Sequence, residues 1–143
     1  MDLNDTIAQF KERLAKDSSD IEAALTLGNI YYDNGDPVQS IQYYRRVLDI
    51  NPDMPGVRTD MGTMLWRNND MNQAEKAFRD AIACDPGFGH AYINLGLLLH
   101  RGKGELNEAR IVWQQLLDNN PNHELAAKAR QQLQENPALT IPL

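Results

Sequence analysis

Asn51-Pro52, Asp85-Pro86 and Asn120-Pro121 recur along this chain with their prolines 34 and 35 residues apart. Gly28, Gly62 and Gly96 keep the step of 34 without deviation. A period of that length is one supersecondary unit copied along the chain, each copy burying its apolar face against the next. This constrains the fold more tightly than composition does. Units that touch only their neighbours build a long surface, and such a surface is first of all a place to bind something.

Aligned on the prolines, the copies run over residues 21–54, 55–88 and 89–123. Each opens with apolar residues three and four apart: Ala24, Leu27, Gly28 and Tyr31, then Val57, Met61 and Leu65, then Tyr92, Leu95, Gly96 and Leu99. That spacing is one helix face. A turn follows, at Asn34-Gly35-Asp36, Asn68-Asn69-Asp70 and residues 101–104, where Gly or Asn supplies the left-handed residue past a helix end. Asp36 and Asp70 then suit the caps of second helices, and Pro37 suits a first turn. The second helices carry Ser40, Tyr44, Val47 and Leu48, then Ala74, Phe78, Ala81 and Ile82, then Ala109, Trp113, Leu116 and Leu117. The closing proline cannot continue the helix and bends the chain into the next copy. The third copy has one extra residue, expected in its internal turn at 101–105.

Two half-units flank the array. Ile7, Phe10 and Leu14 make an apolar stripe in segment 1–20, and Phe10 stands 34 before Tyr44, as a lone second helix would. Segment 124–136, rich in Ala, Gln and Leu with Lys128 and Arg130 outward, suits a polar cap on the last copy. Residues 137–143 are apolar and are expected to be a flexible tail. All patterning is helical, so the expected fold is all-α, with seven main helices and an eighth only if the tail orders.

Composition narrows function. The net charge of −6 lacks the surplus of Lys and Arg that phosphate contacts or an anionic membrane surface need. No apolar run approaches the roughly 18 residues of a membrane helix. The acidic, polar start Met-Asp-Leu-Asn-Asp does not read as a signal peptide, so a cytoplasmic protein is expected, or a periplasmic one if the chain is a piece of an anchored or secreted parent. The lone Cys84 falls at an apolar helical position and is expected to be a packed core thiol.

These residues resemble the tetratricopeptide repeat. That family's pattern sets a bulky residue, Leu-Gly and Tyr in the first helix, then Ala, an aromatic, Ala and Pro in the second. The copies read Ala24, Leu27-Gly28, Tyr31, Ser40, Tyr44, Val47, Pro52; then Arg58, Met61-Gly62, Leu65, Ala74, Phe78, Ala81, Pro86; then Tyr92, Leu95-Gly96, Leu99, Ala109, Trp113, Leu116, Pro121. The resemblance implies a right-handed α-solenoid of antiparallel helix pairs, with first helices lining a concave groove that holds a peptide or a partner's helix. The three glycines then mark close approach of first to second helix, since Gly inside a helix is worth about 1 kcal/mol less than Ala.

Carried over from the family, the groove positions are Glu22, Leu25, Thr26, Asn29, Tyr32 and Asp33 in the first copy. They are Gly56, Thr59, Asp60, Thr63, Trp66 and Arg67 in the second, and His90, Ile93, Asn94, Leu97, His100 and Arg101 in the third. The partner-binding residues expected among them are Asn29, Tyr32, Asp60, Thr63, Trp66, Arg67, Asn94, Leu97, His100 and Arg101. Tyr32, Trp66 and His100 form a ladder 34 residues apart that the core pattern does not need. It is either a platform for a peptide or filling between repeats. Glu22, Asp33 and Asp60 set negative charge toward the first copies, and Arg67 and Arg101 set positive charge toward the last. That is either a solvated mixed surface or a device that orients a ligand. Relatives that hold a chaperone's terminal carboxylate use Lys or Arg with Asn. Asn29 fits that scheme, whereas Leu25 and Asp33 stand where cations would be wanted.

No catalytic constellation is present. His90, His100 and His123 are too far apart for a metal site on one helix face, no Cys-His motif or phosphate loop occurs, and no cofactor is implied. The expected function is a non-catalytic protein-protein interaction scaffold with a protein or peptide ligand, and neither nucleic acid nor membrane as partner. The alternatives are a self-assembling structural module that forms a homo-oligomer, or the repeat domain of a bacterial assembly factor. Residues 109–117 with Trp113, then Pro121 and an Ala-rich helix, are similar to cytochrome c maturation proteins that carry these repeats.

Overall fold

The computed structural model describes residues 2–139. It contains eight α-helices: α1 Leu3–Lys16, α2 Ile21–Asp33, α3 Pro37–Ile50, α4 Pro55–Arg67, α5 Met71–Cys84, α6 Gly89–Leu97, α7 Leu106–Asn119 and α8 Ala126–Glu135. Among the described residues there is no strand. The chain is a right-handed α-solenoid in which α2–α3, α4–α5 and α6–α7 are helix pairs and each pair packs on the next. The count exceeds the seven expected because three pairs with both flanks make eight. The eighth is the C-terminal segment at α8, not the tail. Residues 137–139 follow without helix, and residues 140–143, where the rest of the tail expectation falls, lie outside the described residues.

Local chemistry sets the helix ends. Asp36 Oδ1 accepts from Gln39 N at 3.2 Å, Asp70 Oδ1 from Gln73 N at 3.4 Å and Asp20 Oδ1 from Ala23 N at 3.0 Å, so each satisfies an orphan N–H of a first turn. Gly35, Asn69 and Gly104 take positive φ past the ends of the first helices. Asn51, Asp85 and Asn120 end the second helices, and the proline after each stops propagation.

The extra residue of the third copy sits earlier than expected. After α6 the helix widens into a π turn over Leu98–Gly102, which houses His100 and Arg101. The first two copies close with bonds from Asp36 N to Tyr31 O and from Asp70 N to Leu65 O, whereas the third closes from Glu105 N to Leu99 O, one residue wider. The helix absorbs the insertion because Leu98 and Leu99 are buried on the core side, and a looser loop would have turned them out.

Two core clusters run along the array. One joins α1 to the first pair through Leu14, Ala24, Leu27, Tyr44 and Val47. The other spans the second and third pairs with α8, through Leu65, Phe78, Tyr92, Leu95, Trp113, Leu116 and Ala129. Tyr32 and Met61 pack against both and bridge the seam. The glycines explain the close pairing. A Cβ on Gly28 would meet the Tyr44 ring at 2.6 Å, and one on Gly62 would meet Phe78 at 2.6 Å; Gly96 faces Trp113 in the same way. Burial of an aromatic ring contributes about 1.5–3 kcal/mol, which outweighs the roughly 1 kcal/mol helix penalty of glycine.

Cys84 departs from expectation. It lies half-exposed at the end of α5, and its thiol donates to Asp53 Oδ1 at 2.9 Å. Ala81, one turn earlier, is the last α5 residue fully under cover, so Cys84 overruns the buried stripe. The bond to Asp53, then burial, hold the thiol above its ordinary pKa, which lowers its reactivity.

Candidate binding groove

The first helices α2, α4 and α6 present the residues expected to bind a partner, and the structure gathers some of them more closely than others. Tyr32 stands half-buried at the seam. Its ring tilts against Tyr44 with centroids 6.5 Å apart, and the Arg67 guanidinium lies 6.0 Å from its centre. From α4, the charge of Asp60 and the Thr63 hydroxyl both act on the Tyr32 phenol. Asn29 is exposed and accepts the Tyr44 hydroxyl at 2.7 Å through Oδ1. Asn29, Tyr32, Asp60, Thr63 and Arg67 therefore form one polar and aromatic group.

Tyr44 belongs to that group and lies outside the groove positions assigned from sequence. It sits on α3, behind the first helix, but Gly28 lets its ring slide beneath α2 until the hydroxyl emerges beside Asn29. Phe78 and Trp113 hold the same place in the other pairs. Phe78 has no hydroxyl, and the Trp113 indole N–H points to Ile93 O at 3.5 Å, so only the first pair contributes a polar group from below. A lone Tyr at a position otherwise held by Phe and Trp was the signal in the sequence.

The remaining residues are spread along the surface. Trp66 is half-buried. It packs on the second core cluster, and its Nε1 lies 3.3 Å from where a Gly102 Cβ would stand. Leu97 packs on the same cluster, and Asn94 is half-buried beside it. His100 is drawn onto the edge of the Trp113 ring, with centroids 6.4 Å apart, and Arg101 is exposed in the π turn. Thr59 and Ile93, assigned to the groove by register, are buried at 3% and 6% exposure. They occupy the same position in successive copies, on faces of α4 and α6 that packing covers, so no groove surface is left there. Glu22 is exposed and is held by Arg13 at 3.4 Å.

Electrostatics single out Asp60. Burial pushes its carboxyl above the usual range; His90 opposes the shift and Asp33 adds to it. Among the described residues it has neither a hydrogen bond nor an ion pair. Burial, with Asp60 next in weight, also drives the Tyr44 hydroxyl well above its ordinary pKa. The titratable groups that share a field with Asp60 are Asp33 and Tyr32 from α2, Tyr44 from α3 and His90 from α6. An acid whose folded pKa is raised binds its proton more tightly in the native state than when unfolded, so stability falls as pH climbs from the ordinary carboxylate range to the raised value. Asp60→Asn removes that penalty. The variant is expected to melt at or above the parent's midpoint at pH 7, and the gap should close as pH falls through the raised value. Thermal melts across pH 3.5–7.5 read this directly, and a gap independent of pH would refute it.

Among the described residues no group of His, Cys, Asp and Glu is placed to hold a metal ion, and no helix is long and apolar enough to cross a membrane.

A family model described as tetratricopeptide repeat matches residues 21–54, and a second of that description matches residues 59–132. Tetratricopeptide repeat protein 8 of Caenorhabditis elegans is 26% identical over 146 aligned residues, which take in 77% of this chain and 29% of that protein. The chain spans less than a third of the length of the curated relatives it matches. Among solved structures, a crystal structure of MamA is similar with a TM-score of 0.73 at 20% identity, covering 95% of either chain. The first repeat domain of Spaghetti (RPAP3), bound to the HSP90 peptide SRMEEVD, is similar with a TM-score of 0.65 at 25% identity, covering 80% of this chain and 96% of that one.

Proposed function

The chain belongs to the tetratricopeptide repeat family, and from that premise we propose that its concave groove binds an extended segment of a partner protein, so that the chain serves as a non-catalytic scaffold. The observation that carries this is the polar and aromatic group on the concave side: the Tyr32 ring, the Asn29–Tyr44 bond, Thr63 and a half-buried Asp60 with no partner of its own. Core packing requires none of these polar groups at the surface. Preformed, partly desolvated polar sites beside aromatic rings are the usual composition of a peptide-binding surface. The Spaghetti domain holds its peptide on a similar fold, which supports the reading by likeness.

Trp66 continues the surface from Tyr32 toward the third copy. One part of its ring packs on the core and the rest is open, so it serves both stability and contact. A fully buried Trp→Ala change removes 3–5 kcal/mol, and about 2 kcal/mol is expected for this half-buried ring. Central aromatic anchors lose about tenfold or more in affinity on truncation. A random dodecapeptide display library selected on the immobilised chain supplies the probe. Selected peptides are then titrated by fluorescence anisotropy against the parent, Trp66→Ala and the outer-face control Ile111→Ser, well below each midpoint. Loss with Trp66→Ala and retention with Ile111→Ser is expected. Equal binding to a folded Trp66→Ala protein would remove the groove as the binding surface.

A further inference from the structure

The first helix pair differs from the other two at one atom. Tyr44, Phe78 and Trp113 share a phase in the second helices, and each ring is packed under the glycine of its own first helix. Phe78 has no hydrogen-bonding group, and the Trp113 N–H is directed at Ile93 O. Tyr44 alone delivers a hydroxyl to the first helix, where it donates to Asn29 Oδ1 at 2.7 Å. That hydroxyl is a fixed donor. A Cβ on Gly28 would stand 2.6 Å from the Tyr44 ring, so the ring has no room to shift toward α2. Burial also drives the hydroxyl's pKa well above its ordinary value, so the proton stays in place.

The hydroxyl proton decides how the Asn29 amide lies. Of the two ends of a carboxamide only the oxygen accepts, so the bond sets Oδ1 toward Tyr44. Reversed, the amide would put N–H against O–H and leave the phenol proton without an acceptor. Nδ2 therefore takes the other side. Among the described residues it has no hydrogen-bond partner, and Asn29 is exposed on α2. The equivalent residues in the next copies are Thr63 and Leu97. Thr63 donates its proton to the Thr59 carbonyl at 3.3 Å, and Leu97 is apolar, so neither offers an N–H. Resting on the peptide-groove reading above, we propose that Tyr44 is a positioning residue: it holds the Asn29 carboxamide with its Nδ2 hydrogens toward the groove, so that the first copy selects a ligand segment carrying an oxygen acceptor there. An amide free to turn would accept a donor or an acceptor alike. The fixed amide sets N–H against N–H when the ligand brings a donor, and that mismatch is what discriminates.

Dodecapeptides whose binding depends on Trp66, selected as above, are the probe, and a double-mutant cycle between Tyr44 and Asn29 reads the assignment. Tyr44→Phe should keep the fold, since Phe78 fills the equivalent place under Gly62 at the same distance. Its affinity should fall about threefold, and that of Asn29→Ala about fivefold, as for a neutral hydrogen bond. In the Asn29→Ala background Tyr44→Phe should cost nothing more, which a purely structural role for the hydroxyl does not produce. Asn29→Asp keeps the shape and the acceptor for Tyr44 but has no donor, and should lose tenfold or more. Replacing each peptide residue by Ala separates the sources of the acceptor. Coupling to Asn29 that vanishes at one position marks a side-chain oxygen, and coupling that survives at every position marks a main-chain carbonyl; both fit the assignment. Equal loss from Tyr44→Phe in both backgrounds, no loss from it in the parent, or parental affinity for Asn29→Asp would each overturn the assignment and leave the groove reading standing, because dependence on Trp66 remains. Absence of any Trp66-dependent peptide would overturn both readings together.

Discussion

Gly96→Ala is expected to destabilise the chain by about 3 kcal/mol, although alanine is the better helix former by about 1 kcal/mol. The reason lies in what a methyl group would meet. At Gly28 and Gly62 the nearest ring atoms of Tyr44 and Phe78 stand 2.6 Å from a built Cβ. At Gly96 the Cβ would fall against Nε1 and Cε2 of Trp113 at closer range, with Cδ1 at 2.7 Å. The indole is fully buried, its N–H is directed at Ile93 O, and His100 borders its edge, so it has no room to withdraw. Either the α6–α7 pair opens or the ring leaves its place. For a domain of this size 3 kcal/mol is a fall of roughly 10 °C in the thermal midpoint. Trp113→Leu should recover part of it: the double variant is expected to lose less than the sum of the singles, because the smaller side chain vacates the space the methyl group needs. A midpoint for Gly96→Ala within a degree of the parent would show that the close approach does not constrain the third pair.

How far such features could be read without coordinates depends on which interactions are local in the repeat. The glycine–aromatic contact was legible because Gly and ring recur at one phase, at 28 with 44 and at 62 with 78. The caps at Asp36 and Asp70 and the left-handed Gly35, Asn69 and Gly104 were legible because turn chemistry is set by neighbours in sequence. The π turn was not. One inserted residue fits a loop or a widened helix equally well on paper, and only burial of Leu98 and Leu99 on the core side decides for the helix. Tyr44 was missed as a groove residue for a related reason. Register assigns it to the second helix, and its hydroxyl reaches the concave side only because a neighbouring helix lacks a side chain at Gly28. Register also assigned Thr59 and Ile93 to the groove, where contact between successive copies covers them.

Removing residues 123–143 should turn a well-behaved chain into one that associates. α8 lays Ala126 and Ala129 fully under cover, with Leu125 and Leu133 partly so, against the cluster that contains Trp113 and Leu116. Arg110 fastens the helix end by donating to the carbonyls of Leu133 and Asn136. His123 is part of the same closure: its ring lies against Gly89 at the start of α6, with its Nδ1 accepting from Leu125 N at 2.9 Å. Without these groups the last pair presents the apolar face that every earlier pair buries on a successor. In an array stabilised by nearest-neighbour contacts, each apolar side chain stripped of its cover forfeits about 1–3 kcal/mol, and an open end of this kind is a surface for other copies. Sedimentation velocity at matched concentrations should show larger species than the full chain forms, or precipitation, together with a lower thermal midpoint. Deleting residues 137–143 alone is the control. Its hydrogen bond from Leu139 N to Asn107 Oδ1 at 3.4 Å is exposed and is worth about 1 kcal/mol at most. If the longer truncation sediments and melts like the full chain, α8 is not a cap, and the third pair must hide its apolar face by other means.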